Sequence, residues 1–177
     1  MIDKYYTTQL YWGLGKGKTS AANGGAVRAK GAGNKVAIFR FLKGQHTSED
    51  ELLQKSGIFV EKIHHGTKFV LQMNDEEKKQ VKKVIDASIE RIRAMANEFD
   101  LIVLDEVLDL CVKNVAMLES KQLEAFIKEL QAKKIDLILT GHEKDEKIFA
   151  LADTITHFQS ERHHFEKGVP ARKGIEY

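Results

Sequence analysis

Three short runs of this chain are apolar almost throughout: KVAIFRFL, DLIVLDE and IDLILTG. A strand with one wet face alternates apolar and polar residues, so near-continuous apolar runs belong to strands covered on both faces. Helical patterns separate them. EEKKQVKKVIDASIERIRAMANEF carries Val81, Val84, Ile85, Ile89, Ile92 and Met95 at helical spacing, and ESKQLEAFIKELQAKK reads the same way. Strands and helices in alternation specify an α/β fold: a mostly parallel sheet with helices on both faces. KYYTTQLYW at one end, and DEKIFALAD followed by TITHFQ at the other, add a strand, a short helix and a further extended piece. Residues 44–75 are less regular and should hold a short helix with extended segments. The tail from Arg162 has no clear period.

Ligands of such sheets bind beyond the carboxyl ends of the strands. Here those ends carry GLGKGKTSAA, Asp105 and Glu106, and Thr140-Gly141. Three separate stretches therefore converge on one edge. The 177 residues suit one domain, 1–177, with a substantial core. A net charge of +2 gives no electrostatic case for nucleic acid, and no apolar run approaches the roughly 20 residues that span a bilayer. One cysteine, Cys111, cannot close an internal disulfide, so a cytoplasmic location is expected.

GLGKGKTSAA lies between a strand and a helix pattern, KTSAANGGAVRAKGAG. Backbone N–H groups at such a turn point inward and the helix dipole adds positive potential, which together make an anion site. Gly13, Gly15 and Gly17 let the backbone approach phosphates, while Leu14, Lys16 and Ser20 complete the loop. Lys18 supplies a charge to the phosphates, and Thr19 offers a hydroxyl to Mg²⁺. The usual pattern, G-x-x-x-x-G-K-[ST], puts its first glycine at position 12, which is Trp12. Asp105 and Glu106 are the acidic strand end that helps to hold such a metal. On an extended strand they point to opposite faces, but at its end one or both can turn toward the loop.

On these residues the chain resembles the P-loop ATP:corrinoid adenosyltransferases, which act on cob(I)alamin and its precursors. That family has the same displaced first glycine, in G-x-G-K-G-K-T-T-A-A. Further similarities are GGAVRAKGAG, which supplies Arg28; VAIFRFLKG, with Lys43 and Gly44; FDLIVLDEV; ILTG; ALADTIT; and above all the closing HHFEKGVPARKGIEY. The resemblance runs from about Gln9 to Tyr177. It implies a RecA-like P-loop fold, ATP and a reduced corrinoid as substrates, Mg²⁺, a homodimer and a reduced flavoprotein as electron donor. ATP would be bound by residues 13–20 with Arg28, the metal by Thr19, Glu106 and Asp105, and the corrinoid by Phe69 and Leu71. The chain departs from the family at Leu14, at Gln45 and His46, at Leu71 where the family has tryptophan, and at His142, which replaces the arginine of T-G-R.

The implied reaction needs neither a protein nucleophile nor a base. Co(I) attacks the 5′ carbon of the ATP ribose and triphosphate leaves, so Lys18 and Arg28 serve as triphosphate stabilisers. Two other readings stay open on the sequence. A general P-loop ATPase or kinase explains the loop and the acidic strand but not the C-terminal motif. A family member that binds ATP and corrinoid without turnover would explain the departures. The seven histidines, including the adjacent pairs His64-His65 and His163-His164, lack zinc-site spacing. Arg162, Lys167, Arg172 and Lys173 can reach phosphates, though such runs are more often a solvated face.

Overall fold

The computed structural model describes residues 5–42, 47–63 and 70–177. Six strands form one parallel sheet in the order β3-β2-β4-β5-β1-β6. In chain order they are β1 (Thr8–Trp12), β2 (Val36–Arg40), β3 (Phe59–Lys62), β4 (Leu101–Asp105), β5 (Asp136–Gly141) and β6 (Thr154–His157). The helices are α1 (Lys18–Gly31), α2 (Ser48–Lys55), α3 (Asp75–Met95), α4 (Ser120–Ala132) and α5 (Glu146–Phe149).

The apolar runs of the sequence become the three central strands, and alternate residues feed opposite cores. Ala37, Phe39, Ile102, Leu104, Leu137 and Leu139 enter the larger core, which also takes the apolar faces of α3 and α4. Val36, Ile38, Leu101, Val103 and Ile138 enter the smaller core under α1. A strand buried on both sides has no polar face to show, which is why these runs do not alternate. Along α3, Val81, Ile85, Ile89 and Ile92 are buried, each worth about 1.5–3 kcal/mol for the apolar side chain removed from water. Asn74 and Glu77 close a reciprocal capping box at its start. Val84 is an exception to the expected stripe: it is 47% exposed, one position off the line set by Val81 and Ile85.

Helix α1 has no apolar stripe at all. It packs by smallness, with Ala22 and Ala26 fully buried. A Cβ on Gly25 would lie 2.9 Å from the Ile138 side chain, so the helix can sit this close to β5 only without one. Close packing here fixes the helix N-terminus against the ends of β1, β4 and β5. The irregular 44–75 region supplies α2 and β3. At the far edge β6 is exposed along its whole length and pairs with β1 alone.

Candidate nucleotide site

The chain leaves β1 at Trp12 and enters α1 at Lys18. Between them Gly13 and Gly17 adopt φ of 111° and 113°, a region that L side chains avoid. Gly15 meets a different constraint. A Cβ there would stand 2.6 Å from the Phe158 carbonyl and the Gln159 amide, because the segment after β6 runs against the loop. The Gly15 N–H donates to the Phe158 carbonyl at 2.8 Å, and the Lys16 N–H donates to the Ser160 hydroxyl at 3.3 Å.

Lys18 is only 8% exposed and its ammonium donates to the loop's own carbonyls, Gly13 at 2.6 Å and Gly15 at 3.0 Å. Its charge is thus held at the centre of the loop. Thr19 donates to Asp105 Oδ1 at 3.1 Å. Lys16, Leu14 and Ser20 are exposed, Leu14 to 87%. The structure thus brings residues 13–20 and Asp105 together.

Asp105, fully buried at the end of β4, is the centre of the acidic strand end. It accepts from Thr19, from the Thr140 hydroxyl at 2.7 Å, and from Arg40 Nη1 at 2.9 Å. The next residue, Glu106, takes a left-handed φ of 62°, and its N–H donates to Thr140 Oγ1 at 2.8 Å. The turn therefore comes at Glu106, which leaves the extended conformation that would alternate the two side chains between sheet faces.

Arg40 was not singled out by the sequence reading, yet it organises this edge. It is fully buried, and its guanidinium reaches Asp50 on α2 (Nε to Oδ1, 2.8 Å), Asn23 on α1 and Asp105 on β4. A buried charge is tolerable only when paired, so one cation here balances carboxylates from two elements. Burial pushes the Asp50 carboxyl up, but the Arg40 charge and the hydrogen bonds around it outweigh that and leave it below its ordinary 3.8. The signal was available: Arg40 is the lone charge in an otherwise apolar strand.

Two further features enter from distant stretches. Lys16 pairs with Glu176 at 2.7 Å, and Arg172 holds the same carboxylate, so that Glu176 sits at about 2 instead of its ordinary 4.5. The tail thus reaches the loop through an acid, Glu176, backed by the base Arg172. On the other side, Asp109 engages His142 at the end of β5.

Not every expected residue gathers here. Arg28 lies ten positions along α1 from Lys18, about 15 Å at the helical rise, and lines a groove with Gln9, Tyr11 and Asp136. Phe69, Lys43 and Gly44 lie outside the described residues, and Leu71 falls in a short 3-10 turn, Val70–Gln72, with only its backbone described.

Comparison with known proteins matches this architecture. The sequence profile described as "ATP:corrinoid adenosyltransferase BtuR/CobO/CobP" matches residues 5–177. The chain is 30% identical over 169 residues to the corrinoid adenosyltransferase of Escherichia coli K12, covering 95% of this chain and 84% of that protein. It is 31% identical over 172 residues to the corrinoid adenosyltransferase CobA of Salmonella typhimurium, again covering 95% and 84%. Among solved structures, the flagellar accessory protein FlaH from Methanocaldococcus jannaschii superposes with a TM-score of 0.55 at 14% identity, over 85% of this chain and 69% of that one. That likeness concerns the fold alone, and it agrees with a RecA-like P-loop arrangement. With a profile match across nearly the whole sequence, this chain belongs to the ATP:corrinoid adenosyltransferase family.

Proposed function

We propose that the protein transfers the 5′-deoxyadenosyl group of ATP to the Co(I) of a reduced corrinoid and releases triphosphate. The observation that carries this reading is the loop itself: positive-φ glycines, a central ammonium and a hydroxyl tied to a buried carboxylate, at the sheet edge of a chain in this family. The cobalt electron pair forms the Co–C5′ bond. The C5′–O bond breaks, its electron pair leaves with triphosphate, and cobalt ends formally as Co(III). No proton is moved. The protein's tasks are to align cobalt with C5′, where positioning is worth roughly 7–11 kcal/mol, and to stabilise the leaving charge. Lys18 and the loop amides do the second.

Magnesium fits the donor set. Among the described residues no group of three or more His, Cys, Asp or Glu side chains is arranged to hold a metal. Mg²⁺ on a nucleotide asks for less, one or two protein oxygens with phosphates and water supplying the rest. Thr19 and Glu106 would provide them. Asp105 accepts the Thr19 hydroxyl hydrogen bond at 3.1 Å, which would leave the hydroxyl oxygen's lone pairs for the metal and make Asp105 a support as much as a ligand. Bound Mg²⁺ would supply charge neutralisation of the triphosphate. Arg28, so far along α1, would contribute to the site only at long range within one chain. The corrinoid would be met by Phe69 and Leu71, whose apolar side chains would discourage water on cobalt. A homodimer, a reduced flavoprotein donor and a cytoplasmic location complete the reading. Among the described residues no helix is long and apolar enough to cross a membrane.

The test is anaerobic. Protein, Mg-ATP and chemically reduced cob(I)alamin are mixed, the corrinoid spectrum is followed and the phosphate product identified. The expected result is a light-sensitive alkylcobalamin with triphosphate. ADP and phosphate with an unchanged corrinoid would replace this reading with ATP hydrolysis.

A further inference from the structure

A cavity of about 630 Å³ opens at the carboxyl ends of β1, β5 and β6. Gly13 and Gly15 of the loop line it together with His142, Lys144, Trp12 and His157. The Trp12 and His157 rings stack at 4.0 Å, which makes one wall flat and apolar. His142 also lines the cavity, and its ring is gripped by one carboxylate. Asp109 Oδ1 accepts from the His142 backbone N–H at 2.7 Å, and Asp109 Oδ2 meets ring Nδ1 at 2.8 Å. Asp109 itself is 6% exposed, on the 3-10 turn Leu108–Cys111. That turn approaches β5 closely enough that a Cβ on Gly141 would stand 2.4 Å from Leu108 Cβ. Gly141 is therefore what lets Asp109 reach the residue that follows it.

A bidentate carboxylate behind an imidazole fixes the tautomer and the ring plane. With Nδ1–H donating to Asp109, Nε2 is the atom left to meet a ligand, and among the described residues it makes no hydrogen bond. We propose that His142, held by Asp109, is an anion-contacting residue of the nucleotide site, whose imidazolium meets the polyphosphate of ATP beside the loop. This rests on the reading that the loop binds ATP.

The charges around the ring agree. The Asp109 hydrogen bond raises the His142 pKa above its ordinary 6.5, burial works against it, and the Asp109 charge adds to the rise. The Lys18 charge lowers it and the Glu106 charge raises it, so the ring feels both the loop lysine and the acidic strand end. Glu143 and Lys144 follow it in the chain, and His157 also lines the cavity. The sign for binding follows. The protonated ring attracts phosphate, so affinity is greatest at low pH and falls as pH rises through the raised pKa. Bound phosphate extends the protonated range further upward.

The experiment is a calorimetric titration of the full chain with Mg-ATP and, separately, with adenosine, from pH 6 to pH 9. For wild type, ATP affinity should fall across the alkaline side of that range while adenosine affinity stays level. His142→Gln should weaken ATP about tenfold at pH 6.5, the value of one charge-assisted hydrogen bond, and flatten its pH profile without changing adenosine. His142→Arg should restore ATP affinity and keep the profile flat, and Asp109→Asn should move the wild-type inflection to lower pH. A merely structural role for His142 would change ATP and adenosine alike and would not be rescued by arginine. Wild-type binding of ATP that His142→Gln leaves unchanged at every pH overturns the proposal alone. Failure of wild type to bind ATP overturns the nucleotide reading and the proposal with it.

Discussion

Two carboxylates approach the phosphate loop from opposite directions. Asp105 comes from inside, at the end of β4, fully buried and bound by Thr19, Thr140 and a fully buried Arg40. Glu176 comes from the tail and binds Lys16 and Arg172, side chains that are 46% and 55% exposed. The inner carboxylate has no water to fall back on, so its partners cannot be exchanged without leaving a bare charge in the core. The outer set exchanges more easily, because water and salt compete for Lys16 and Arg172, although the Glu176 side chain is itself only 10% exposed. The inner set is thus framework and the outer set is a removable cover. If Lys16 meets a nucleotide phosphate as proposed, it must first give up Glu176 Oε1.

The contrast can be broken from its strong side. Arg40→Leu should remove the buried cation shared by Asp105 and Asp50, leaving Asp50 with Lys62 alone at 3.2 Å, and cost about 3–5 kcal/mol in denaturant unfolding. Arg40→Lys should recover part of that, since it returns the charge without the fork that spans both acids. If Arg40→Leu unfolds at the wild-type midpoint, the buried network is not the framework described here.

Gly15→Ala comes next. The added Cβ meets backbone on the Phe158 side, and backbone does not yield as a side-chain tip does. A loss of about 1–3 kcal/mol in stability is expected, as for other overpacked sites, with a larger loss in Mg-ATP binding. Stability and binding that both match wild type would mean that the segment after β6 is not pressed against the loop.

Glu176→Gln is the smallest. Its unfolding midpoint should match wild type, while ATP affinity rises by less than about fivefold once Lys16 is uncovered, the range of an exposed ion pair. A weaker ATP complex would instead make Glu176 part of the binding surface. Acid separates the two carboxylate sets only at its extreme. Both Asp50 and Glu176 have depressed pKa values, so each contributes stability that is present above its unfolded value and lost as pH falls through the folded one. For Glu176 that window lies between 4.5 and about 2. The clasp should therefore be constant from pH 5 to pH 9, and any activity change in that range must come from elsewhere, His142 first.

Much of this was legible in the residues. Apolar strands buried on both faces can hardly be anything but central strands, and the loop carries its own signature in Gly13, Gly17 and Lys18. Less visible was what depends on side chains meeting across the fold. Arg40 shows in the sequence as a charge in the wrong place, but not that its partners would be Asp50 and Asp105. The resemblance pointed Arg28 toward phosphate, while its position on α1 fixes it well along the helix from the loop. Val84 matched a helical period yet faces solvent, because a period of 3.6 admits two neighbouring stripes and only packing chooses between them. The tail carried no period, and its contribution, Glu176 on Lys16, spans 160 residues. Separation of that kind leaves no local pattern to read.

The strand order has a consequence for synthesis. β1 pairs only with β5 and β6, and Thr8 meets Leu137 across 129 residues of chain. The strand that launches the phosphate loop leaves the ribosome early and waits for its neighbours. At about 5–20 residues per second that wait is roughly 6–26 s, during which β1 and its glycine-rich loop have no neighbouring strand to pair with. The loop's anchoring strand is thus paired only once β5 and β6, made long after it, have closed around it.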